Sequence, residues 1–344
     1  MNLSWAYSTY LPWIESEMRG VVRSADEQLQ GHYGMMQYHL GWADASLCPT
    51  SAPSGKRIRP LLCLLACGAA GGDPRTALPA AAGLELLHNF SLIHDDIEDN
   101  SPSRRHRPTA WSLFGMPQAC NAGDGMFSLA HLAFYRLRET GVPAGTVLDA
   151  LKLFDETCLS LTEGQYLDMA FEGRSDVTTA EYFSMIAGKT GALLAASPQV
   201  GSLVSGAPAE QVASYRAFGA ALGRVFQLQD DILGIWGLEA VTGKPVAGDI
   251  LSKKKSLPIV HALAHPGTSR RMSDLYAGPP FSQADIPAVL ALLDEADARP
   301  YVEEQVRKSV VDADRVLKSL HPLSQRAYLD VLAELLDSLV ARVS

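Results

Sequence analysis

"LELLHNFSLIHDDIEDN", residues 84–100, joins a largely apolar run to a cluster of acidic side chains. The apolar run is typical of a helix that is buried on most sides. Helical spacing places Asp95 and Asp99 on neighbouring turns of one face, with His88 two turns earlier. Two carboxylates about 4 Å apart repel by roughly 4 kcal/mol at an effective dielectric constant of 20. An acidic helix face is most often solvated, but the apolar residues that precede this one weaken that interpretation.

The same helical periodicity continues through most of the chain. In the last segment, apolar residues from Tyr328 to Leu339 recur every three or four positions, with acidic residues between them. Comparable patterns occupy residues 9–30, 57–71, 78–99, 118–139, 145–172, 179–206, 209–237, 254–265, 284–297 and 300–319. Breaks rich in glycine, proline and serine separate them, and no alternating strand pattern is found. The sequence predicts an all-α protein with a single domain over residues 1–344.

The composition narrows the class of partner. The chain has 344 residues, 47% of them hydrophobic, and a formal net charge of −9. This balance argues against a nucleic-acid partner, because binding to phosphates needs a basic surface. Among five scattered cysteines, Cys63 and Cys67 lie one turn apart in an apolar run and are predicted to be buried. That run is too short to span a bilayer. Because the cysteines are scattered and odd in number, we expect a reduced, cytoplasmic protein.

A second acidic cluster lies in "FQLQDDILG", residues 226–234. Gln227, Asp230 and Asp231 are spaced i, i+3 and i+4 and share one face of an apolar helix. Two such clusters in apolar helices indicate that a cation binds. Mg²⁺ is the natural candidate, since it prefers oxygen ligands from a few carboxylates together with substrate phosphates.

Basic residues at loops and helix starts offer ligands for such phosphates. Each of them alone is more simply explained as a solvated surface charge. The candidates are Lys56, Arg57 and Arg59 in "SGKRIRP", Arg104, Arg105 and Arg107 in "SRRHRP", Lys189 and Thr190 in "AGKTG", Lys244 in "TGKP", and Lys253 to Lys255 in "DILSKKKSLP".

Seven motifs occur in the order found in the trans-isoprenyl diphosphate synthases, the family of the farnesyl and geranylgeranyl diphosphate synthases. They are "GKRIRP", "LIHDDIEDNSPSRRHRPTAW", "GQYLD", "GKTG", "FQLQDDILG", "TGKP" and "KKKSLP". The chain resembles this family from about residue 50 to residue 262. The resemblance implies a single-domain isoprenoid synthase fold, with helices surrounding a central active-site cavity, and a homodimer.

The resemblance also implies a role for each matching residue. The implied Mg²⁺ ligands are Asp95, Asp99 and Asp230, with Asp96 and Asp231 beside them. The implied ligands of the allylic diphosphate are Arg104, Lys189, Lys254 and Lys244. The implied ligands of isopentenyl diphosphate are Lys56, Arg59, His88 and Arg105. The residues implied to line the reacting carbons are Gln165, Thr190 and Gln227.

The implied reaction is a Mg²⁺-dependent, head-to-tail 1′-4 condensation of isopentenyl diphosphate with an allylic diphosphate. Three Mg²⁺ ions and the basic groups would neutralise the departing pyrophosphate. Phe90 precedes Asp95 by five residues, about 7.5 Å along a helix, where the family places the floor of its product tunnel. A floor at Phe90 favours a twenty-carbon product, geranylgeranyl diphosphate, and then fifteen-carbon farnesyl diphosphate. An ordinary core phenylalanine is the simpler alternative.

Two positions depart from the family pattern. Gly234 stands where a third aspartate is usual, and His106 stands where glycine usually follows the paired arginines. A class I terpene cyclase on the same fold is one alternative, and the missing aspartate favours it slightly. The basic set for isopentenyl diphosphate argues against it, since a cyclase has no use for that ligand. A non-catalytic binding subunit of a prenyl synthase is the other alternative. We expect such a subunit to have lost one acidic cluster, whereas both are largely intact here.

Overall fold

The computed structural model describes residues 1–52, 55–237 and 247–341, and 77% of the protein is helical. The α-helices are Leu3–Val21 (α1), Gln30–His39 (α2), Ile58–Ala69 (α3), Leu78–Glu98 (α4), Ala110–Phe114 (α5), Met116–Tyr135 (α6), Ala144–Glu172 (α7), Thr179–Ile186 (α8), Ala192–Val204 (α9), Ala209–Trp236 (α10), Gly248–Leu251 (α11), Leu257–Ala264 (α12), Ser269–Ala277 (α13), Ile286–Glu295 (α14), Ala298–Ser319 (α15) and Arg326–Val340 (α16). The prediction of an all-α protein is confirmed.

Short irregular helices and one hairpin complete the described elements. A π-helical turn, Ala187–Gly191, joins α8 to α9, and the short 3₁₀ segments are Glu27–Leu29, Pro74–Ala77, Arg136–Thr140 and His321–Leu323. Ser103–Arg104 (β1) and Arg107–Pro108 (β2) pair as an antiparallel hairpin. Strands of two residues are too short to show an alternating pattern in the sequence.

The helix bounds differ from the periodicity in several places. Residues 9–30 are predicted as one helix, but α1 ends within this segment, at Val21. Helix α1 also begins earlier, after Asn2, whose side chain accepts a hydrogen bond from the Trp5 amide. Helix α13 lies in one of the breaks rich in glycine, proline and serine, a composition that predicts a loop. Met272 and Tyr276 are its buried residues, and two apolar positions are too few to reveal a helical stripe.

The chain divides into two compact units. The first comprises Met1–Glu156, Ala196–Tyr215 and Leu320–Leu332. Its core includes the buried apolar run of α3, in which Cys63 and Cys67 are buried as predicted. In this unit α4 packs along α6, and Gly83 allows the close approach, because a methyl group there would lie 2.5 Å from the Phe134 ring. The acidic end of α4 is thereby held in place.

The second unit comprises residues 157–195, 216–319 and the chain from 333 onward, described except for 238–246 and 342–344. Tyr182, Leu228, Ile232 and Leu257 belong to one of its apolar clusters and join α8, α10 and α12. A second cluster joins the end of α10 to α12, α13 and α14. These contacts position the second acidic cluster on α10. The single domain over residues 1–344 stays a prediction.

None of the described helices combines the length and the apolar character that crossing a membrane requires.

Candidate active site

The first acidic cluster lies at the carboxyl end of α4, where Arg104 contacts it. The Nε of Arg104 donates to Asp96 Oδ1 at 2.8 Å, and its Nη2 donates to Asp95 Oδ2 at 3.1 Å. Asp99 caps α4 and is exposed. Trp111 secures the following loop by donating from Nε1 to the Ser101 carbonyl at 2.8 Å. The structure therefore brings together three of the predicted residues, Asp95, Asp96 and Arg104.

Arg105 and His106 form the two-residue turn of the hairpin. Their φ angles are 52° and 60°, in the left-handed region. Two-residue hairpin loops favour this conformation at both central positions, and it explains why glycine is usual at position 106. Histidine is one of the residues that tolerate it better than most. The departure at His106, whose side chain is exposed, therefore leaves the hairpin in place.

Asp96 is buried, with 2% of its surface exposed. Burial raises the pKa of its carboxyl to about 6, against the opposing effect of Arg104. Its Oδ2 atom is buried and receives no hydrogen bond from any described residue. A buried, unsatisfied carboxylate oxygen next to Asp95 and Asp99 makes a set of hard oxygen donors. This set fits a divalent cation such as Mg²⁺.

A positive patch lies beside the acidic cluster in the first unit. Burial lowers the pKa of His88 well below its ordinary value, and the charges of Arg59, Arg105 and Arg104 lower it further. Burial also lowers the pKa of Arg105 to about 10, and Glu85 partly opposes this effect. A group of arginines this close together favours a bound anion among them.

The loop before α3 lies against this patch. A methyl group on Gly55, whose φ is +93°, would lie 2.8 Å from Nη2 of Arg105. Only glycine allows the guanidinium to approach the backbone so closely in this conformation. Lys56, which follows Gly55, is exposed, and Arg59 is half-buried. The four residues predicted to bind isopentenyl diphosphate therefore lie on neighbouring segments of the first unit.

Arg57, the third basic residue of that loop, has a different role. It is buried, its Nε donates to Glu15 Oε1 at 2.8 Å, and its Nη1 donates to Glu85 Oε1 at 2.9 Å. These ion pairs join the start of α3 to α1 and α4. Arg57 therefore stabilises the first unit, whereas its neighbours Lys56 and Arg59 remain candidates for binding a ligand.

In the second unit, two glycines bring α7 against the π-helical turn. A methyl group on Gly164 would lie 2.1 Å from the Lys189 amide nitrogen, and one on Gly188 would lie 2.7 Å from the Ser160 carbonyl oxygen. This backbone contact places Lys189 Nζ 2.5 Å from Asp168 Oδ2, one turn after Gly164. Such π-helical insertions are frequent at functional sites. Gln165 lies half-buried next to Gly164.

A chain of hydrogen bonds continues from Thr190. Its hydroxyl donates to Gln227 Oε1 at 2.6 Å, and Gln227 Nε2 donates to Asp231 Oδ1 at 2.9 Å. Asp231 Oδ2 accepts from the Tyr182 hydroxyl at 2.5 Å and from the Leu257 amide at 2.7 Å. Burial raises the pKa of the Asp231 carboxyl to about 6. Asp231 therefore orients Gln227 and holds the start of α12, while Asp230 beside it is exposed.

The three lysines before α12 are not equivalent. Lys253 Nζ donates to the Tyr276 and Gly278 carbonyls at 3.1 and 2.7 Å, and Lys255 Nζ donates to the Glu172 carbonyl at 2.8 Å. Lys254 is half-buried, and its charge lowers the pKa of Asp231 against the effect of burial. The role of Lys254 as a ligand stays a prediction. Lys244, the fourth predicted basic ligand, lies outside the described residues.

Phe90 is half-buried on α4 and belongs to an aromatic cluster of the first unit. Its ring centroid lies 4.8 Å from that of His94 and 5.0 Å from that of Phe127 on α6. The Phe127 ring in turn lies 5.9 Å from that of Phe154. Phe90 therefore packs in a cluster of neighbouring rings, and its place at a tunnel floor stays a prediction.

The model of one family, described as polyprenyl synthetase, matches residues 42–293. The chain belongs to the polyprenyl synthetase family. It is 41% identical over 295 residues to the (2E,6E)-farnesyl diphosphate synthase of Mycobacterium tuberculosis, covering 84% of this chain and 81% of that one. It is 35% identical over 291 residues to the geranylgeranyl diphosphate synthase of the same species, covering 83% and 82%.

Among solved structures, the polyprenyl synthetase from Streptomyces coelicolor A3(2) superposes with a TM-score of 0.87 at 32% identity, over 98% of each chain. The polyprenyl synthetase described here has the all-α isoprenoid synthase fold of such neighbours. It is a prenyltransferase, a trans-prenyl diphosphate synthase. The substrates of such synthases are an allylic diphosphate and isopentenyl diphosphate, and divalent metal ions are used for the diphosphate.

Sequence reasoning missed three residues of this polyprenyl synthetase. Asp168, which pairs with Lys189, closes the motif "GQYLD", and its spacing of one turn from Gly164 is the signal that could have found it. Tyr182 donates a hydrogen bond to Asp231, but in the sequence it resembles any core aromatic residue of an apolar helix. Glu85 pairs with Arg57 from an apolar stretch of α4, where a single buried carboxylate predicts a buried cation as its partner.

Proposed function

We propose that this polyprenyl synthetase joins isopentenyl diphosphate head-to-tail to an allylic diphosphate, with Mg²⁺, and releases geranylgeranyl diphosphate as its main product. Farnesyl diphosphate is the second choice of product. The head-to-tail 1′-4 condensation needs two separate diphosphates, one that departs and one that stays on the nucleophile. A protein with this function therefore needs two kinds of anion site.

The observation that carries the proposal is the divergence of two adjacent arginines on the hairpin. Arg104 donates to Asp95 and Asp96, whereas Arg105 packs on Gly55. We assign Arg104, with the aspartates, to the allylic diphosphate. We assign Arg105, with Lys56, Arg59 and His88, to isopentenyl diphosphate. A class I cyclase handles a single diphosphate and gives no reason for the second assignment.

In the second unit we assign Lys189 and Lys254 to the allylic diphosphate, because both are half-buried cations in a small cavity that Gln227 and Asp231 also line. Lys189 donates to Asp168, which holds its amino group at one place on the cavity wall. Fixed cations of this kind stabilise the charge that develops on a departing pyrophosphate. Gln165 and Thr190 are assigned to the wall that faces the reacting carbons.

When bound, Mg²⁺ would supply further positive charge to the diphosphate oxygens. Asp95 and Asp99 of the first unit and Asp230 of the second unit would hold the ions, which we expect to number three. Asp95 and Asp99 are partly or fully exposed at the end of α4 and Asp230 is exposed on α10, so each carboxylate can reach an ion that arrives from solvent.

The test is a set of incubations of the purified protein with Mg²⁺ and farnesyl diphosphate, with and without isopentenyl diphosphate. We expect geranylgeranyl diphosphate only when isopentenyl diphosphate is present. A hydrocarbon or alcohol formed without it would show a cyclase instead, and no product at all would favour a non-catalytic subunit. Arg105→Met should raise the KM for isopentenyl diphosphate more than the KM for the allylic substrate, with the exposed Arg138→Met as the matched control.

We also propose that the synthase is a cytoplasmic homodimer. Helix α7 exposes Leu159, Tyr166 and Met169, which lie on one side of the helix because they are spaced by about two turns and one turn. An exposed apolar face of this kind fits a second copy of the chain. Within the described residues none of the five cysteines forms a disulfide, which is in accord with a reducing compartment. Sedimentation of the wild type and of Leu159→Glu tests the dimer, which the charged side chain should dissociate.

A further inference from the structure

Gly234 lies one turn after Asp230 on α10, so the two positions share one face of the helix. A methyl group built on Gly234 would lie 2.2 Å from Oδ2, 2.5 Å from Cγ and 3.0 Å from Oδ1 of Asp249. All three nearest atoms belong to one carboxylate. The carboxylate of Asp249 therefore occupies the space in which a side chain at position 234 would begin.

Asp249 reaches this space from the short helix α11. The backbone before it is in the left-handed conformation at Ala247, with φ 56°, and this turn directs α11 toward α10. Asp249 is 9% exposed. Within residues 1–52, 55–237 and 247–341, its carboxylate accepts no hydrogen bond and pairs with no cation. A carboxylate buried in this way is costly unless a cation or a donor compensates it.

The neighbouring carboxylate on α10 cannot take over this role. Asp231 accepts hydrogen bonds from Tyr182, Gln227 and the Leu257 amide, so both of its oxygens are committed. A ligand beside Asp230 must therefore come from another segment. The Asp249 carboxylate occupies the space of a side chain at position 234, four residues after Asp230. The two carboxylates therefore resemble the i, i+4 pair that Asp95 and Asp99 form at the end of α4.

We propose that Asp249 supplies the carboxylate that Gly234 lacks, and that it binds a divalent cation together with Asp230. Oxygen ligands from two carboxylates suit Mg²⁺ or Mn²⁺. The absence of a side chain at position 234 is then a requirement of the site, because any Cβ there would displace the carboxylate. This inference rests on the metal dependence of the proposed function.

The test uses the full chain with inorganic pyrophosphate and Mn²⁺, and it measures bound Mn²⁺ by electron paramagnetic resonance. In Asp249→Asn, one Mn²⁺ should bind about 10- to 100-fold more weakly, the range seen when groups that support a metal are removed. Asp274→Asn, an exposed aspartate of the same unit, is the control and should bind as the wild type does.

Two further variants separate binding from folding. Gly234→Ala leaves every carboxylate in the chain and favours the helix, yet its methyl group should displace Asp249 and weaken the same Mn²⁺ site. The double variant Gly234→Asp with Asp249→Ala moves the carboxylate from position 249 to position 234. The alanine at position 249 removes the carboxylate atoms that would otherwise clash with the new side chain at position 234. It should recover most of the affinity that Asp249→Asn loses.

The outcomes separate the metal dependence of the proposed function from the role of Asp249. If the wild type does not bind Mn²⁺ with pyrophosphate, the metal dependence of the proposed function fails, and this inference fails with it. If the wild type binds and Asp249→Asn binds equally well, only the role of Asp249 is overturned. If Asp249→Asn is weakened and the double variant is not restored, Asp249 supports the fold without binding the metal, which also overturns the inference.

Discussion

Replacing Phe90 with alanine should lengthen the prenyl product by one five-carbon unit. The Phe90 ring is half-buried on α4, and its centroid lies 5.0 Å from that of the Phe127 ring. One isoprene unit adds four skeletal bonds of about 1.5 Å, roughly 5 Å along an extended chain. Removal of one ring therefore frees the depth of one unit, and geranylgeranyl diphosphate should be extended to a product of twenty-five carbons.

The layering predicts a second step. Phe127 is followed by Phe154 at a centroid distance of 5.9 Å, so the double variant of Phe90 and Phe127 to alanine should add a further unit. Truncation of a fully buried phenylalanine costs about 3–5 kcal/mol, and half-buried Phe90 should cost less. The Phe90→Ala variant should therefore remain folded at 25 °C, which a urea titration checks.

The assay is a long incubation with farnesyl diphosphate and excess isopentenyl diphosphate, then dephosphorylation and mass spectrometry of the alcohols. Phe281→Ala, which truncates a half-buried phenylalanine outside this cluster, is the control and should leave the product length unchanged. An unchanged distribution for Phe90→Ala in a folded, active variant would refute the assignment of Phe90 to the tunnel floor. Phe90 would then be an ordinary core residue.

Three further predictions concern buried polar groups. Arg57→Met should destabilise the protein by about 3–5 kcal/mol in urea, because buried Glu85 loses its cation. Tyr182→Phe should cost about 1.5–3 kcal/mol at pH 7, because it removes a hydrogen bond to ionised Asp231. Burial lowers the pKa of Lys255 from 10.5 to about 8, so the unfolded chain binds more protons between these values. Wild-type stability should therefore rise with pH in that window, relative to Lys255→Met, by up to about 1.4 kcal/mol per unit.

Substitutions of exposed residues are the controls for the first two predictions, and a comparison of pH profiles is the control for the third. Arg326→Met, with its side chain 82% exposed, should change stability by less than about 0.5 kcal/mol, and an equally small effect of Arg57→Met would contradict the buried ion pair. Tyr166→Phe should be neutral, and equal losses for Tyr166 and Tyr182 would contradict the bond to Asp231. Parallel pH profiles of the wild type and the Lys255 variant would contradict the lowered pKa.

Local patterns predict the helices and the acidic face of α4, because both depend on residues within a few turns of each other. Asp95 and Asp99 follow from i, i+4 spacing alone. Arg57 and Lys56 are adjacent and chemically alike, and which one is buried depends on Glu85, a distant residue. The spacing of residues along a helix cannot predict this contact between Arg57 and Glu85.

The parts that could not be predicted depend on backbones that meet across long stretches of sequence. Lys189 pairs with Asp168 because Gly164 and Gly188 allow two helices to touch. The sequence identifies Gly234 as a position where the family motif lacks its usual third aspartate. The structure brings another carboxylate, that of Asp249, into the same space. A departure in a motif can therefore be judged only together with the residues that fold against it.

The hydrogen bonds that end at Asp231 have a direction, and it determines the polarity presented at Thr190. An ionised carboxylate has no proton to give, so Gln227 must turn its amino group toward Asp231 and its carbonyl toward Thr190. The hydroxyl proton of Thr190 is thereby engaged, and its oxygen offers only lone pairs to any other neighbour. Above pH about 6, where Asp231 is ionised, the Thr190 oxygen is therefore an electron-rich group that attracts positive charge and gives it no proton.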